Sequence, residues 1–419
     1  MKITGAVSLA AIVVLSRWPA GAQIYDTNND YVEIVAGSGT AGFLNGQGTQ
    51  AMFNNPSGVV ADTSSNLFVM DNNDALIRKI TPDGTVSTFA GGGTGSLPGY
   101  GTSVALYTCP NPGFSTLFGR MAIDYENTIW VAVSCNQAGS SPGLLRIGSD
   151  GYVEFLAYAS INGLCVDSGN NLYYSTGNQI YRLAAIGTLT LFAGNGTAGA
   201  TDGNGIYAFF NGPGALAADE AGNIYVWDSG NHKIRRIDQS QNVTTIAGNG
   251  SNSDVDGPGV TASFSSISAM CADNFGNVIM ACGSSIRKMT ATTNVVTMAG
   301  SFSQNSYANG AGAMARFNGA SGVWSFQGKV FVADQSNQRI RVISLNPQPQ
   351  PVTGANLAIN TYAGVTITGL VGRTYQIQSS PNMTNWTTRA TLLLNSSPYL
   401  WFDQDPVSGS KFYRAFLLP

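Results

Sequence analysis

One phrase recurs along this chain and limits what it can become. It is an apolar strand ending in Asp, a Gly/Asn turn, a second strand, a polar loop, an Ile-Arg strand, then a strand ending near Ala-Gly. The first copy reads Gly58-Val-Val-Ala-Asp62, Asn66-Leu-Phe-Val-Met-Asp71, Leu76-Ile-Arg-Lys-Ile80 and Thr85-Val-Ser-Thr-Phe-Ala-Gly91. The fourth repeats it as Ala217-Ala-Asp219, Gly222-Asn-Ile-Tyr-Val-Trp-Asp228, Lys233-Ile-Arg-Arg-Ile237 and Val243-Thr-Thr-Ile-Ala-Gly248. Other copies carry Ile123-Asp124, Val166-Asp167 and Ala272-Asp273, and the sixth has Lys329-Val-Phe-Val-Ala-Asp334 and Arg339-Ile-Arg-Val-Ile343. Self-similarity of this kind marks a repeat architecture in which each unit buries its apolar face against its neighbours.

Each unit offers four short strands of alternating polarity with turn residues between them. Repeated four-stranded units predict an all-β fold, a six-bladed β-propeller over residues 23–345. The ends of the chain indicate how the ring closes. The sixth unit stops at Ile343-Ser344 without a fourth strand, and an orphan strand stands at Asp30-Tyr-Val-Glu-Ile-Val-Ala-Gly37. That segment matches the fourth strands of other units, so it should complete the last blade and cover an otherwise open edge. Between units runs a Gly-rich phrase ending in Ala-x-Phe, with Phe53, Phe210, Phe264 and Phe317 as its last residues. Its Asn-Gly or Asp-Gly supplies a tight turn, and the Phe is expected to plug the gap between blades. Asp254-Val-Asp256-Gly257 lacks the later acidic ligands and the final Glu of a calcium loop, so it is read as structural.

These phrases resemble the NHL repeat family. Pro56-Ser-Gly58 and Asp228-Ser-Gly-Asn-His-Lys-Ile-Arg235 match it best, and the likeness runs from about Tyr31 to Leu345. It is close in units one, four and six and looser in two and three. After a Pro-rich linker at 346–351, residues 352–419 read as strands throughout and predict a small β-sandwich. Its Thr374-Tyr-Gln-Ile-Gln-Ser and Lys411-Phe-Tyr-Arg-Ala phrases resemble a C-terminal module of secreted Verrucomicrobia-type proteins. Trp386 and Trp401 could pair on a sugar, but in so small a domain they are read as core.

Residues 1–22 read as a secretory signal: Lys2, an apolar run from Ile3 to Leu15, and a small-x-small cleavage site at Ala20-Gly21-Ala22. The run looks too short to span the roughly 30 Å hydrocarbon core, so no membrane span is expected after cleavage. The protein should then be secreted, periplasmic or on the surface of a bacterial cell, and monomeric. A net charge of −3 with 10% charged residues argues against nucleic acid as a partner. Of the five cysteines, Cys109 and Cys135 fall in loops expected on one face of the second unit and are predicted to form a disulfide. Closing about 25 residues would contribute roughly 3 kcal/mol. Cys165 is expected to stay a buried thiol, and Cys271 and Cys282 to remain unbridged. Non-reducing peptide mapping checks the bridge; recovering Cys109 and Cys135 as free thiols would overturn it.

Signals of catalysis are thin. The sole histidine, His232, lies where the resembled repeat itself often carries His. Related propellers of the gluconolactonase-like and amidating-lyase-like kinds hold a metal on the axis, but the inner strands here are almost wholly apolar. A ring of Asp62, Asp124, Asp167, Asp219 and Asp273 could bind a cation; each is instead read as capping its own turn. Arg78, Arg146, Arg182, Arg235, Arg287 and Arg341 recur in third strands and suggest a repeated Arg–Asp pair in every blade. The function expected is a non-catalytic binding or scaffold propeller, without cofactor, presenting one loop face to an extracytoplasmic protein or glycan. Its candidate ligand residues are Asn55, Asp71, Asn73, Asn211, Asp228, Asn231, His232, Asp334 and Arg339. The alternative is a metal-dependent lactonase or lyase with an axial calcium.

Overall fold

The computed structural model describes residues 30–106, 120–133, 142–345, 364–367, 372–394, 399–402 and 412–418. The signal-like segment, Cys109 and Cys135 lie outside the described residues. The chain divides into two compact units, Met1–Asn346 and Pro347–Pro419. Among the described residues no helix is long and apolar enough to cross a membrane.

The first unit is a β-propeller. Among the described residues its strands form six antiparallel sheets of four or five strands. The innermost strands are Pro56–Ala61, Arg120–Ile123, Gly163–Val166, Pro213–Ala218, Ala269–Ala272 and Ala320–Phe326. Each neighbours the next, and the last returns to the first, so the ring is closed. Short alternating strands produce this because each sheet has two apolar faces, and both are covered only when sheets stack around an axis.

The orphan strand closes the ring as its sequence implies. Asp30–Ala36 pairs antiparallel with Arg339–Leu345 in the sixth sheet, with Val32 opposite Ile343 and Ile34 opposite Arg341. The phenylalanines also sit as expected. Phe53, Phe210, Phe264 and Phe317 are fully buried. Phe53 packs with Val59 of the first sheet and with Ala333 and Ile340 of the sixth. Leu106 takes the same role between the first and second sheets. Cys165, Cys271 and Cys282 are buried free thiols. Cys271 stands opposite Ile279 and Cys282 opposite Ser285, so the hairpin register keeps those two apart.

The second unit has a two-stranded sheet, Gly364–Ile367 with Tyr399–Phe402, and a three-stranded one of Thr387–Leu393, Thr374–Ser380 and Phe412–Leu417. Trp401 packs against Tyr375 and Ile377 and lies edge-on to Tyr413. Trp386 carries the Arg414 guanidinium 4.1 Å over its ring. Trp401 thus belongs to the core of the unit.

Deleting residues 23–37 should lower the thermal midpoint of the whole propeller, because the sixth sheet loses a strand and two edges open together. Calorimetry checks this, and an unchanged midpoint would show that the strand is dispensable for closure.

Candidate functional site

The strongest constellation in the molecule is a buried arginine with a carboxylate and an aromatic ring. Arg78, Arg235, Arg287 and Arg341 are fully buried. Arg78 donates to Asp71 at 2.8 Å, Arg235 to Asp228 at 2.7 Å and Arg341 to Asp334 at 2.8 Å. The same guanidiniums donate to carbonyls of the loop leading into their sheet: Leu44 and Met52, Thr201 and Phe209, Ala308 and Arg316. Each also lies over the plugging phenylalanine, at 5.3 Å for Phe53, 5.2 Å for Phe210 and 5.1 Å for Phe317. Burial pushes the Asp71 carboxyl up to about 6, against the pull of the Asn54 N–H and Arg78. Burial raises Asp228 and Asp334 in the same sense. Asp202 is different: burial pulls it up, but the Thr245 N–H and Arg235 outweigh that and hold it below the usual range.

The expectation of one Arg–Asp pair in every blade is corrected in two sheets, and in a third the pair forms with different carboxylates. In the second and third, Arg146 and Arg182 sit one residue past the buried position. Register shows this: Arg78 stands two residues before Ile80, which faces Leu67, whereas Arg146 immediately precedes Ile147, which faces Ile129. Leu145 and Tyr181 occupy the Arg78 position. A slip of one residue in a strand turns the side chain to the other face. Arg146 accordingly makes a partly exposed pair with Glu154, and Arg182 donates to Asn171. In the fifth sheet Cys282 holds the place of Asp71, and the carboxylates come instead from the leading loop. Arg287 meets Asp256 at 2.9 Å and Asp254 at 3.5 Å. Asp254 also accepts the Ser265 N–H, as Asp228 accepts that of Asn211. Burial pushes the Cys282 thiol up to about 12, so it takes no part as an anion.

The aspartates ending the inner strands cap their own turns. Asp62 accepts the N–H groups of Ser64 and Asn66, Asp124 those of Glu126 and Thr128, and Asp167 those of Gly169 and Asn171. Asp219 and Asp273 do the same for Asn223 and Asn277. Among the described residues there is no group of three His, Cys, Asp or Glu placed to hold a metal. The axial cavity, about 90 Å³, is lined by Gly, Ala, Val, Leu, Met and Cys of the inner strands together with Trp324, Ser268 and Ser325. Arg120 is its one charged lining residue among the described residues, and burial holds its pKa below the usual value. Sequence reasoning missed Arg120, although it directly precedes the inner-strand phrase Met121-Ala-Ile123.

The nine candidate ligand residues divide in two. Asp71, Asp228 and Asp334 are wholly buried in the arginine pairs and have no surface left for a ligand. The other six lie on one loop face. Asn73 is exposed and donates to Asn54. Asn55 has a left-handed backbone, φ 62°, and its N–H donates to Gln338 at 2.7 Å. Asn211 accepts the Gly230 N–H on its carbonyl, and Asn231 donates to Gly199 O and Asp228. His232, also left-handed at φ 50°, brings Nδ1 within 3.0 Å of Phe264 O. Arg339 donates to Ser38 O and lies 4.0 Å over the Tyr307 ring.

No family model matches the chain. Among curated proteins it is 25% identical over 298 residues to NHL repeat-containing protein 2 of Bos taurus, covering 60% of this chain and 40% of that protein. It is 26% identical over 241 residues to the chloroplastic protein SUPPRESSOR OF QUENCHING 1 of Arabidopsis thaliana, covering 52% and 23%. The chain thus spans less than half the length of either relative. Among solved structures, an auxiliary nutrient binding protein from Bacteroides ovatus superposes with a TM-score of 0.56 at 16% identity, covering 76% of this chain and 77% of that one. A protein of unknown function from Bacteroides thetaiotaomicron gives 0.59 at 18%, covering 75% and 76%. These likenesses show the propeller fold.

Arg235→Met should cost about 3–5 kcal/mol, because it leaves Asp228 buried without its partner. The double replacement Asp228→Leu with Arg235→Met should recover part of that loss. Chemical denaturation of both variants checks this.

Proposed function

We propose that this chain is an exported, non-catalytic binding or scaffold propeller of six NHL-type blades with a C-terminal module of the Verrucomicrobia-protein type. Its ligand is an extracytoplasmic protein or glycan. The observation that carries this reading is the bracing of one loop face from blade to blade. Gln338 of the sixth sheet holds the Asn55 N–H ahead of the first. Asn178 of the third holds the Gly212 N–H ahead of the fourth, and His232 of the fourth bonds Phe264 ahead of the fifth. Polar loops fixed on a rigid ring are where recognition is usually placed. Asn55, Asn73, Asn211, Asn231, His232 and Arg339 are the side chains that this face offers. Cleavage after Ala22 and a Cys109–Cys135 bridge belong to the same reading, since an oxidising compartment preserves such a bridge.

The lactonase or lyase alternative needs oxygen ligands on the axis. The five inner-strand aspartates are engaged in their own turns, and a cationic Arg120 on the channel wall opposes a calcium ion.

Combined alanine replacement of Asn73, Asn231 and Arg339 should abolish ligand capture on glycan arrays and in pull-downs from periplasmic extract, with folding retained. Capture that survives these changes would refute the assignment of the face. Elemental analysis of the purified protein is the second check: about one tightly held calcium per chain would favour the enzyme instead.

A further inference from the structure

The third sheet differs from the other five at its outer edge. Elsewhere the loop leading into a sheet lays a two-residue strand along that sheet's outermost strand. Gly46–Gln47 lies on Thr85–Ala90, Gly99–Tyr100 on Tyr152–Tyr158, and Gly203–Asn204 on Asn242–Ala247. Gly257–Pro258 and Gly310–Ala311 do the same on Asn294–Gly300 and Asp30–Ala36. Each cover seals one apolar side chain: Val86, Val153, Val243, Val295 and Val32 are at most 1% exposed. The link into the third sheet is only residues 159–162, too short for such a cover. Leu189 stands opposite Leu183 as Val86 stands opposite Ile80, yet it is 53% exposed.

Among the described residues the backbone of this edge is open as well. Thr188 gives its carbonyl to the Ala184 N–H, so alternation turns the N–H and C=O groups of Leu189 and Leu191 outward. In the fourth and fifth sheets the outward N–H at the Leu191 position belongs to Thr245 and Thr297. There the covering loop accepts it on Asp202 and Asp256. The bare edge borders a cleft of about 510 Å³ between the second and third sheets. Leu144, Leu156, Ile161, Tyr174 and Leu189 are part of its apolar lining. Asp124, Glu126 and Glu154 also line it, against one cation, Arg146.

We propose that this cleft receives an extended peptide segment of a partner protein, added as a strand to Leu189–Ala193. The segment sets an apolar side chain over Leu189 and a basic one toward Glu126, the lining carboxylate that neither caps its own turn nor pairs with Arg146. Five internal examples show what the edge accepts, and strand addition to an open edge is a common mode of peptide capture. A glycan offers no alternating row of amides and carbonyls to match this edge. A second copy would bring the same carboxylates together, where like charges repel. The site lies among the turns on the opposite face from the braced loops, so it stands or falls apart from the proposed ligand face.

The test uses the full chain and fluorescence anisotropy with three synthetic peptides: KVTVTK, EVTVTE, and KVTVTK carrying N-methyl groups on its backbone amides. KVTVTK should bind at least about tenfold tighter than EVTVTE, and the N-methylated form should not bind. Leu189→Asp should abolish binding and Glu126→Lys should weaken it about tenfold; both sites are exposed, so the thermal midpoint should hold. Equal binding of the N-methylated peptide, or failure of KVTVTK to bind, would overturn the proposal. So would a concentration-dependent dimer in sedimentation that Leu189→Asp dissolves, because the edge would then belong to a second copy.

Discussion

A guanidinium taken out of water is tolerated only when its charge and its donors are met, and that requirement organises this propeller. In the first, fourth and sixth sheets the arginine meets a carboxylate at the end of the neighbouring strand, two carbonyls of the leading loop, and the face of a buried phenylalanine. The carboxylate in turn holds a backbone N–H just past that phenylalanine, as Asp71 does for Asn54 and Asp334 for Asn318. One charged pair therefore fixes the loop to its sheet and seats the plug between two sheets. Removing either partner strands the other in a place that water does not reach.

The fifth sheet shows which part of this arrangement is required. Its strand ends in Cys282 where the first, fourth and sixth have Asp, and the arginine is unchanged. The negative charge has moved into the loop, to Asp254 and Asp256, and Asp254 has also taken over the backbone N–H. What is kept is a carboxylate within reach of the guanidinium, not a residue at one position. The second and third sheets drop the charge altogether and fill its place with Leu145 and Tyr181. An apolar side chain there removes the need for a partner, and those are the sheets that flank the open cleft. The departures from the repeat thus gather in one sector of the ring.

Two faces of the molecule come out of this with different characters. One carries loops tied together through Gln338, Asn178 and His232, a polar surface held in place. The other carries the short turns capped by the inner-strand aspartates, interrupted between the second and third sheets by a cleft whose strand edge has no partner among the described residues. The channel between the faces is narrow and mostly apolar, with Arg120 on its wall.

Local pattern carried the fold a long way. Period-2 alternation, turn residues at fixed offsets and an orphan strand at Asp30–Ala36 were enough to imply repeated four-stranded sheets and their closure, because all three are properties of neighbouring residues. Turn capping by Asp62 and its equivalents was legible for the same reason. The sequence did not distinguish exposed loop aspartates from Asp71, Asp228 and Asp334, whose burial depends on an arginine seven residues away meeting them across a hairpin. Nor did it separate Arg146 and Arg182 from the buried arginines, since one residue of register reverses the face and the Ile-Arg phrase looks alike either way. The open edge at Leu189 was hidden too: whether a strand is covered depends on a loop elsewhere in the chain, and only the packed ring shows that residues 159–162 fail to reach it. Sequence alone thus determined the repeating strand unit and its closure. Tertiary structure decided which charges are buried and which edge stays free, because both are set by contacts between segments distant along the chain.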